Sequence, residues 1–216
     1  EESIRHRIIL EGAIAQASKL FVSPGDVNLT DVVKILGEAV AVNRSYIFRL
    51  RENGKRIDNV VEWCKFGTVP QIERLQDLDS NIFSWWMKKL SDGENIDISN
   101  VENLGSDAAA EKEILKAQKI KSLIVVPINA ADGKLNGFMG FDDTKRYREW
   151  SSEDVKALRI AAEMVGNYWE RKRVEEALQH QATHDALTNI PNRYYLEESL
   201  KKTIEKANQG ETGALL

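Results

Sequence analysis

The first part of the chain, up to about residue 41, shows the apolar period of two amphipathic helices. Apolar residues recur at spacings near 3.6 across residues 4–21, which predicts the first helix. Ser23-Pro24-Gly25-Asp26 then ends it, and Thr30 is placed to cap a second helix over residues 31–41. The apolar stripe of that second helix consists of Val32, Val33, Leu36, Ala39 and Val40.

After residue 45 the apolar period changes from 3.6 to 2, which predicts strands. Tyr46, Phe48 and Leu50 alternate with polar residues, and Asn53-Gly54 separates them from an apolar run over 60–64. Asn-Gly between apolar runs favours a turn with positive φ, so these strands are predicted to form an antiparallel hairpin with a slightly longer loop.

A second hairpin is predicted in the same way around Asp132-Gly133. Apolar runs over 123–128 and 135–141 flank that turn. Pro127 has no backbone N–H to donate, so it indicates a sheet edge or a bulge at that point.

Helices are predicted between and after the hairpins. The pattern predicts a short helix over 82–87 and a longer one over 108–119. Ser151-x-x-Asp154 resembles a capping box, and no proline follows before Pro191. A single long helix is therefore predicted from about residue 152 to at least Gln181.

The apolar residues of that long helix form a narrow seam, and the second part of the seam is shifted around the helix relative to the first. Its first part holds Leu158, Ala161, Val165 and Tyr168, and its second holds Val174, Leu178 and Gln181. A narrow seam with charged flanks is typical of a helix that pairs with another helix, so we expect a parallel homodimer. For residues 153–169, packing of the helix onto its own sheet explains the pattern equally well.

Composition excludes several classes of function. The 216 residues carry 30 basic and 34 acidic side chains, so the net charge of −4 offers no general attraction to nucleic acid. No apolar run approaches the length of a membrane span, so no membrane contact is expected. A single cysteine, Cys64, and no signal peptide predict a cytoplasmic protein. The first and last residues suggest a piece cut from a longer protein.

The residues from Arg44 to Arg173 resemble a GAF domain, a sensory module of bacterial signalling proteins. The resemblance rests on the segments 45–48, 62–64 with Gly67, 122–127, 132–142 and 150–154. It implies an α+β fold, in which an antiparallel sheet of five or six strands is flanked by helices and followed by a long C-terminal signalling helix. We expect N- and C-terminal helices on one side of the sheet and shorter helices on the other.

The segment His184–Arg193 resembles the opening of a GGDEF domain, the fold of diguanylate cyclases, which join two GTP molecules into cyclic di-GMP. Asn189 stands where that family most often has glycine. The resemblance divides the chain into a sensory domain at 1–169, a coiled-coil linker helix at 170–183 and a truncated GGDEF start at 184–216. The family's catalytic residues lie beyond Leu216, so no catalytic residue is assigned and this piece is not expected to be an enzyme.

Candidate ligand-binding residues follow from the resemblance, because GAF domains hold ligands between the sheet and the helices inserted after the second strand. Aromatic side chains supply much of the buried area of such pockets. The candidates are Tyr46, Phe48, Trp63, Phe83, Trp86, Met87, Ile124, Val126 and Phe141. The alternative is that these side chains simply fill the core.

No cofactor or metal is predicted. His180 and His184 have a spacing that suits a metal, but the second belongs to the GGDEF-like motif and no further ligand accompanies them. Cys64 has no neighbouring histidine, unlike the cysteine of the bilin photoreceptors that some GAF domains resemble, and is expected to be a small buried residue.

Three functions follow from the sequence. The first is a sensory domain that binds an unidentified small molecule and signals through a dimeric helix to a diguanylate cyclase. The second is a ligand-free dimerisation scaffold, which a filled interior would favour. The third, turnover of a nucleotide by this piece, needs a cluster of carboxylates and a basic residue that the sequence does not show.

Overall fold

The computed structural model describes residues 2–185, 188 and 190–208. It divides the chain into two compact units, of which the first ends at Tyr168 and the second begins at Trp169. The first unit combines helices with one antiparallel sheet, which confirms the expected α+β fold.

Two helices open the chain, α1 (Glu2–Val22) and α2 (Leu29–Val40), close to the predicted ranges. The cap of α2 differs from the prediction. Asn28 is the capping residue, and its Oδ1 accepts a hydrogen bond from the backbone N of Thr30 at 3.1 Å. Thr30 therefore lies inside the first turn, because the helix begins two residues earlier than the apolar stripe indicates.

The sheet has six strands in the order β3-β2-β1-β6-β5-β4, and every neighbouring pair is antiparallel. The strands are β1 (Arg44–Arg51), β2 (Arg56–Cys64), β3 (Leu78–Asp79), β4 (Ile96–Ile98), β5 (Ser122–Asn129) and β6 (Leu135–Asp143). The two short edge strands, β3 and β4, are too short to produce an alternating pattern, so the sequence did not reveal them.

Both predicted hairpins are present. The β1–β2 turn has positive φ at Asn53 (55°) and Gly54 (87°), and the β5–β6 turn has it at Gly133 (82°). Pro127 lies on β5 beyond the last residue paired with β4, where one side of the strand has no partner. On that side of the strand a missing N–H leaves no ladder hydrogen bond unmade, as is usual for proline in a sheet.

One irregularity in the first hairpin affects the site. Ile47 is paired with Val61, whereas Phe48 is paired with Asn59, so Val60 forms a bulge in β2. A bulge reverses the alternation of side chains between the two faces of a strand.

The helices cover both faces of the sheet. On one face lie α3 (Ser84–Ser91) and α4 (Ala109–Ala117), which correspond to the two predicted middle helices. On the other face lie α2 and the first part of α5 (Ser152–Thr183). The helix α5 approaches β5 so closely that a Cβ added to Gly166 would lie 2.9 Å from the carbonyl oxygen of Asn129.

The long helix α5 confirms the prediction of one continuous element. Its capping box is reciprocal: the backbone N of Ser151 donates to Asp154 Oδ2 at 3.0 Å, and the backbone N of Asp154 donates to Ser151 Oγ at 3.1 Å. Leu158 and Val165 are fully buried within the first unit. The seam of residues 153–168 therefore packs on its own domain.

The second unit contains the end of α5, a turn and α6 (Arg193–Asn208). His184 forms an isolated bridge with Pro191, and the Oδ1 of Asn192 accepts a hydrogen bond from the backbone N of Tyr195 in the first turn of α6. The chain ends on an apolar run over residues 213–216, whose pattern indicates the opening of a strand, and this run lies outside the described residues. Among those residues, no helix has both the length and the apolar character of a membrane span.

Candidate functional site

A cavity lies between the sheet and the helices α3 and α4. Its volume is about 60 Å³, several times the ~10–15 Å³ that one water molecule needs. Its walls come from β1, β2, β6, α3, α4 and the segment around β3. They consist of Arg44, Tyr46, Phe48, Ile57, Asn59, Glu62, Leu75, Leu78, Phe83, Trp86, Glu111, Ile114, Leu115, Gln118, Ile120, Phe138 and Asp142.

Aromatic rings form much of the apolar wall. Phe48 and Phe138 stack at a centroid distance of 4.8 Å, because their strands pair with these two residues opposite each other. Trp86 meets Phe138 edge-on at 6.2 Å, and Tyr46 meets Phe48 edge-on at 5.5 Å. The rings hold one another in fixed orientations around the cavity.

A buried polar network lies at one end of the cavity. Tyr46 donates its hydroxyl hydrogen to Asp142 Oδ1 at 2.8 Å, and Nη2 of Arg44 lies 3.0 Å from Asp142 Oδ2. Burial raises the pKa of Asp142 to about 6, an increase that the charge of Arg44 and the Tyr46 hydrogen bond oppose. Burial and the negative charge of Asp142 raise the pKa of Tyr46 well above its ordinary value. Tyr46 is therefore a hydrogen-bond donor throughout the physiological range.

Gly140 makes room for this network. A Cβ at position 140 would lie 2.8 Å from the hydroxyl oxygen of Tyr46 and 2.7 Å from the carbonyl oxygen of Ile124. Both distances are below any normal carbon contact. The strand β6 needs glycine here because of this close approach.

Two glutamates fix the loops and the helix that close the cavity. Glu111 Oε1 accepts hydrogen bonds from the backbone N atoms of Trp85 (3.1 Å) and Trp86 (3.2 Å), so a side chain of α4 satisfies the first turn of α3. Glu62 Oε2 accepts them from the backbone N atoms of Gln71 (2.8 Å) and Ile72 (3.1 Å). These two carboxylates position the backbone around the cavity.

Of the nine residues predicted from the sequence, the structure brings four together at this cavity. Tyr46, Phe48, Phe83 and Trp86 line it. Met87 packs against the same apolar cluster without lining the cavity.

The other four lie on the opposite face of the sheet. The ring of Trp63 packs against Gly37 of α2, and Phe141 stacks on Trp150 at 6.4 Å. Ile124 and Val126 alternate along β5 with Leu123 and Val125, which belong to the cavity-side cluster. These four residues contribute to the core beneath the terminal helices.

The polar residues of the site, above all Arg44 and Asp142, were not among the predicted residues. A signal was present, because Arg44 continues the alternation of Tyr46 and Phe48, and Asp142 continues that of Phe138 and Gly140. A charged residue in phase with a buried face is rare unless it is paired.

The two features considered for metal or covalent chemistry lie elsewhere. Cys64 ends β2 outside the cavity lining, and burial raises the pKa of its thiol to about 12, so it is not a thiolate at neutral pH. The rings of His180 and His184 stack at 4.1 Å in the second unit. No group of three metal-ligating side chains occurs among the residues that the structure describes.

Comparison with known proteins identifies the fold that holds this cavity. The model of the GAF domain family matches residues 26–169. The chain belongs to the GAF family. Its match includes all six strands and every helix that lines the cavity.

One curated relative extends the comparison. The GAF chain is 35% identical over 186 residues to the methanogenesis regulatory histidine kinase FilI of Methanothrix harundinacea (strain 6Ac). This match covers 81% of the chain but 20% of the kinase, so the chain spans about a fifth of that relative's length.

Solved GAF structures share the fold at low sequence identity. The phycoerythrobilin-bound GAF domain from a cyanobacterial phytochrome has a TM-score of 0.64 at 14% identity, and the match covers 78% of this chain and 98% of that one. A domain of a putative two-component sensor histidine kinase from Sinorhizobium meliloti 1021 has a TM-score of 0.55 at 20% identity, covering 73% and 99%.

Proposed function

We propose that this GAF domain senses a compact small molecule in the cavity and transmits its presence through α5 to an output domain. The observation that carries the proposal is the cavity itself. Apolar and aromatic walls with a few fixed polar groups are the usual composition of small-molecule sites, whereas the alternative of a ligand-free scaffold calls for a filled interior.

A bilin of the kind bound by the cyanobacterial relative does not fit this site. The cavity of about 60 Å³ is far too small for a tetrapyrrole, and Cys64, the one cysteine of the sequence, is not among the lining residues. The proposed ligand is therefore small and held without a covalent bond.

Blocking the cavity tests the sensing proposal. We expect a screen of compact organic metabolites by protein NMR to give ligands that shift the signals of Phe83, Trp86 and Ile114, and we expect Ile114→Trp to abolish their binding by filling the space. The control is Ile9→Trp, which adds the same ring at an exposed position of α1 away from the cavity and should leave ligand binding unchanged. Ligands whose affinity survives Ile114→Trp would show that they bind elsewhere.

We further propose that the second unit forms a parallel homodimer through the end of α5. Val174 is 43% exposed and Leu178 is 60% exposed. Arg173 and Glu170 form an exposed ion pair beside them, with the nitrogen and oxygen 2.7 Å apart. Exposed apolar residues four apart on a long helix with charged flanks suit a second copy of the same helix. A change in the angle between the two α5 helices, or in the rotation of each helix about its axis, would carry the signal.

Light scattering tests this dimer. We expect twice the monomer mass for the full chain and the monomer mass for a chain ending at Trp169. The double variant Val174→Glu, Leu178→Glu keeps the full chain length and should also be monomeric, because it places like charges in the seam. Glu176→Gln is the matched control and should remain dimeric. A monomer for the unaltered chain at tens of micromolar would contradict the mechanism.

Two output domains have separate support. The segment from His184 to Arg193 resembles the start of a diguanylate cyclase, and we propose that enzyme as the output. The FilI relative favours a histidine kinase instead. The cyclase consumes GTP and yields cyclic di-GMP, whereas the kinase transfers phosphate from ATP to histidine, so product analysis of the full-length protein distinguishes them. We propose that either works in the cytoplasm.

A further inference from the structure

The cavity contains hydrogen-bond donors that the protein leaves without acceptors. Nε of Arg44 and Nε1 of Trp86 are buried and make no hydrogen bond. Nη2 of Arg44 lies 3.0 Å from Asp142 Oδ2 and belongs to the buried ion pair. Arg44 is 1% exposed and Trp86 is 6% exposed, and both line the cavity. Buried donors without acceptors are costly and therefore rare.

The acidic groups around the cavity already have donors of their own. Asp142 Oδ1 accepts from Tyr46, while Glu62 and Glu111 each accept from two backbone N–H groups. The buried side-chain atoms of the cavity that lack a partner, Arg44 Nε and Trp86 Nε1, are therefore donors. A ligand must bring acceptor atoms to use them.

The charge around the cavity selects among ligands with acceptors. The cavity is lined by one guanidinium, that of Arg44, and by three carboxyl groups, those of Asp142, Glu62 and Glu111. A carboxylate or phosphate in this small, poorly solvated space would meet more negative than positive charge. A neutral carbonyl oxygen accepts the same hydrogen bonds without this repulsion.

The shape of the walls limits the ligand further. Phe48, Phe138 and Trp86 present flat faces and edges in a fixed arrangement. Planar rings pack well against such walls. The volume of about 60 Å³ excludes a ligand of more than one ring.

From these observations we propose that the cavity binds a compact, neutral aromatic molecule with a carbonyl oxygen, such as an aromatic amide or ketone, which accepts hydrogen bonds from Arg44 and Trp86. This inference rests on the proposed function, because it names the ligand class for the same sensing site. It excludes phosphates and carboxylates as the preferred ligands. It also assigns Trp86 a polar role in addition to its ring.

Four molecules of nearly equal shape test the ligand class: benzamide, benzoate, benzamidine and toluene. They supply, respectively, a neutral acceptor, an anionic acceptor, a cation without a free acceptor and no polar group. Binding at millimolar concentration is followed by shifts in the NMR signals of the cavity residues. We expect benzamide to bind at least about fivefold more tightly than the other three, as one or two added hydrogen bonds imply.

The conservative variant Trp86→Phe tests the role of Nε1. We expect it to weaken benzamide binding about 3- to 10-fold and to leave toluene binding nearly unchanged, because it removes one donor and keeps a ring. Trp85→Phe is the matched control, since Trp85 does not line the cavity. An equal loss for benzamide and toluene would show that Trp86 acts only through its ring.

The outcomes separate this inference from the function on which it rests. Tighter binding of benzoate or benzamidine than of benzamide, or equal binding of toluene, would overturn the ligand class and leave a small-molecule site in place. No shift of any cavity signal with all four probes would overturn both proposals.

Discussion

Arg44→Met is expected to lower the free energy of unfolding by about 3–5 kcal/mol at neutral pH, the usual cost of breaking a buried ion pair from one side. Arg44 is 1% exposed, and its Nη2 lies 3.0 Å from Asp142 Oδ2. Methionine fills most of the space but leaves the Asp142 carboxylate buried with Tyr46 as its remaining donor. Urea unfolding followed by tryptophan fluorescence measures the loss.

The same variant has an expected pH dependence. Burial already raises the pKa of Asp142 to about 6 with Arg44 present, and removal of the guanidinium raises that pKa further. A carboxyl group whose pKa is raised by folding binds more protons in the folded state, so its stabilising effect is complete at low pH and is lost as the pH rises. The deficit of Arg44→Met should therefore narrow as the pH falls through the variant's raised pKa towards about 6, and it should change little below about pH 5, where folded Asp142 is protonated in both proteins.

Two comparisons make this result specific. Arg51→Met removes another arginine of β1, one that pairs with Asp58 but is 47% exposed, and it should cost far less than Arg44→Met because water screens the exposed pair. The double variant Arg44→Met, Asp142→Asn should cost less than the sum of the two single variants, because no buried charge remains. Equal costs for Arg44 and Arg51, or additive single effects, would show that the buried pair is not a unit.

The parts of the fold that the sequence revealed are those with a strong local signal. Asn53-Gly54 and Asp132-Gly133 mark the two hairpins because their turns need positive φ, and Ser151 with Asp154 marks the start of α5 through hydrogen bonds between close neighbours. The edge strands β3 and β4 have two and three residues, so their pairing depends on distant strands. No local pattern encodes such pairing.

Only part of the candidate site could be predicted from the sequence, because the sequence does not show which face of the sheet a strand residue occupies. Tyr46 and Phe48 share a face, and the structure places that face at the cavity. Trp63 would share the face of Ile57 and Asn59 if β2 were regular, but the bulge at Val60 turns it towards α2. Aromatic character alone cannot show which face a residue occupies, so it selected Trp63 together with residues that line the cavity.

Gly140→Ala is the second large expected effect, a loss of about 3 kcal/mol or more in the free energy of unfolding, as for severe overpacking of a core. The added Cβ would lie 2.7 Å from the carbonyl oxygen of Ile124 and 2.8 Å from Val125 Cγ2. Since the carbonyl belongs to the paired strand β5, it cannot move without breaking the ladder between β5 and β6. Urea unfolding again gives the magnitude.

The hydroxyl of Tyr46 lies 2.8 Å from the same added atom, so Gly140→Ala should also displace Tyr46 from Asp142 and weaken benzamide binding at the cavity. The matched control is Gly12→Ala, which has no atom within 4 Å of its added Cβ and lies within α1. That change should stabilise the protein by about 0.5–1 kcal/mol, since alanine has the higher helix propensity. Equal tolerance of Gly140→Ala and Gly12→Ala would contradict this explanation. It would show that close packing between Tyr46, β5 and β6 is not what requires glycine at position 140. The fixed position of the Tyr46 hydroxyl would then need another cause.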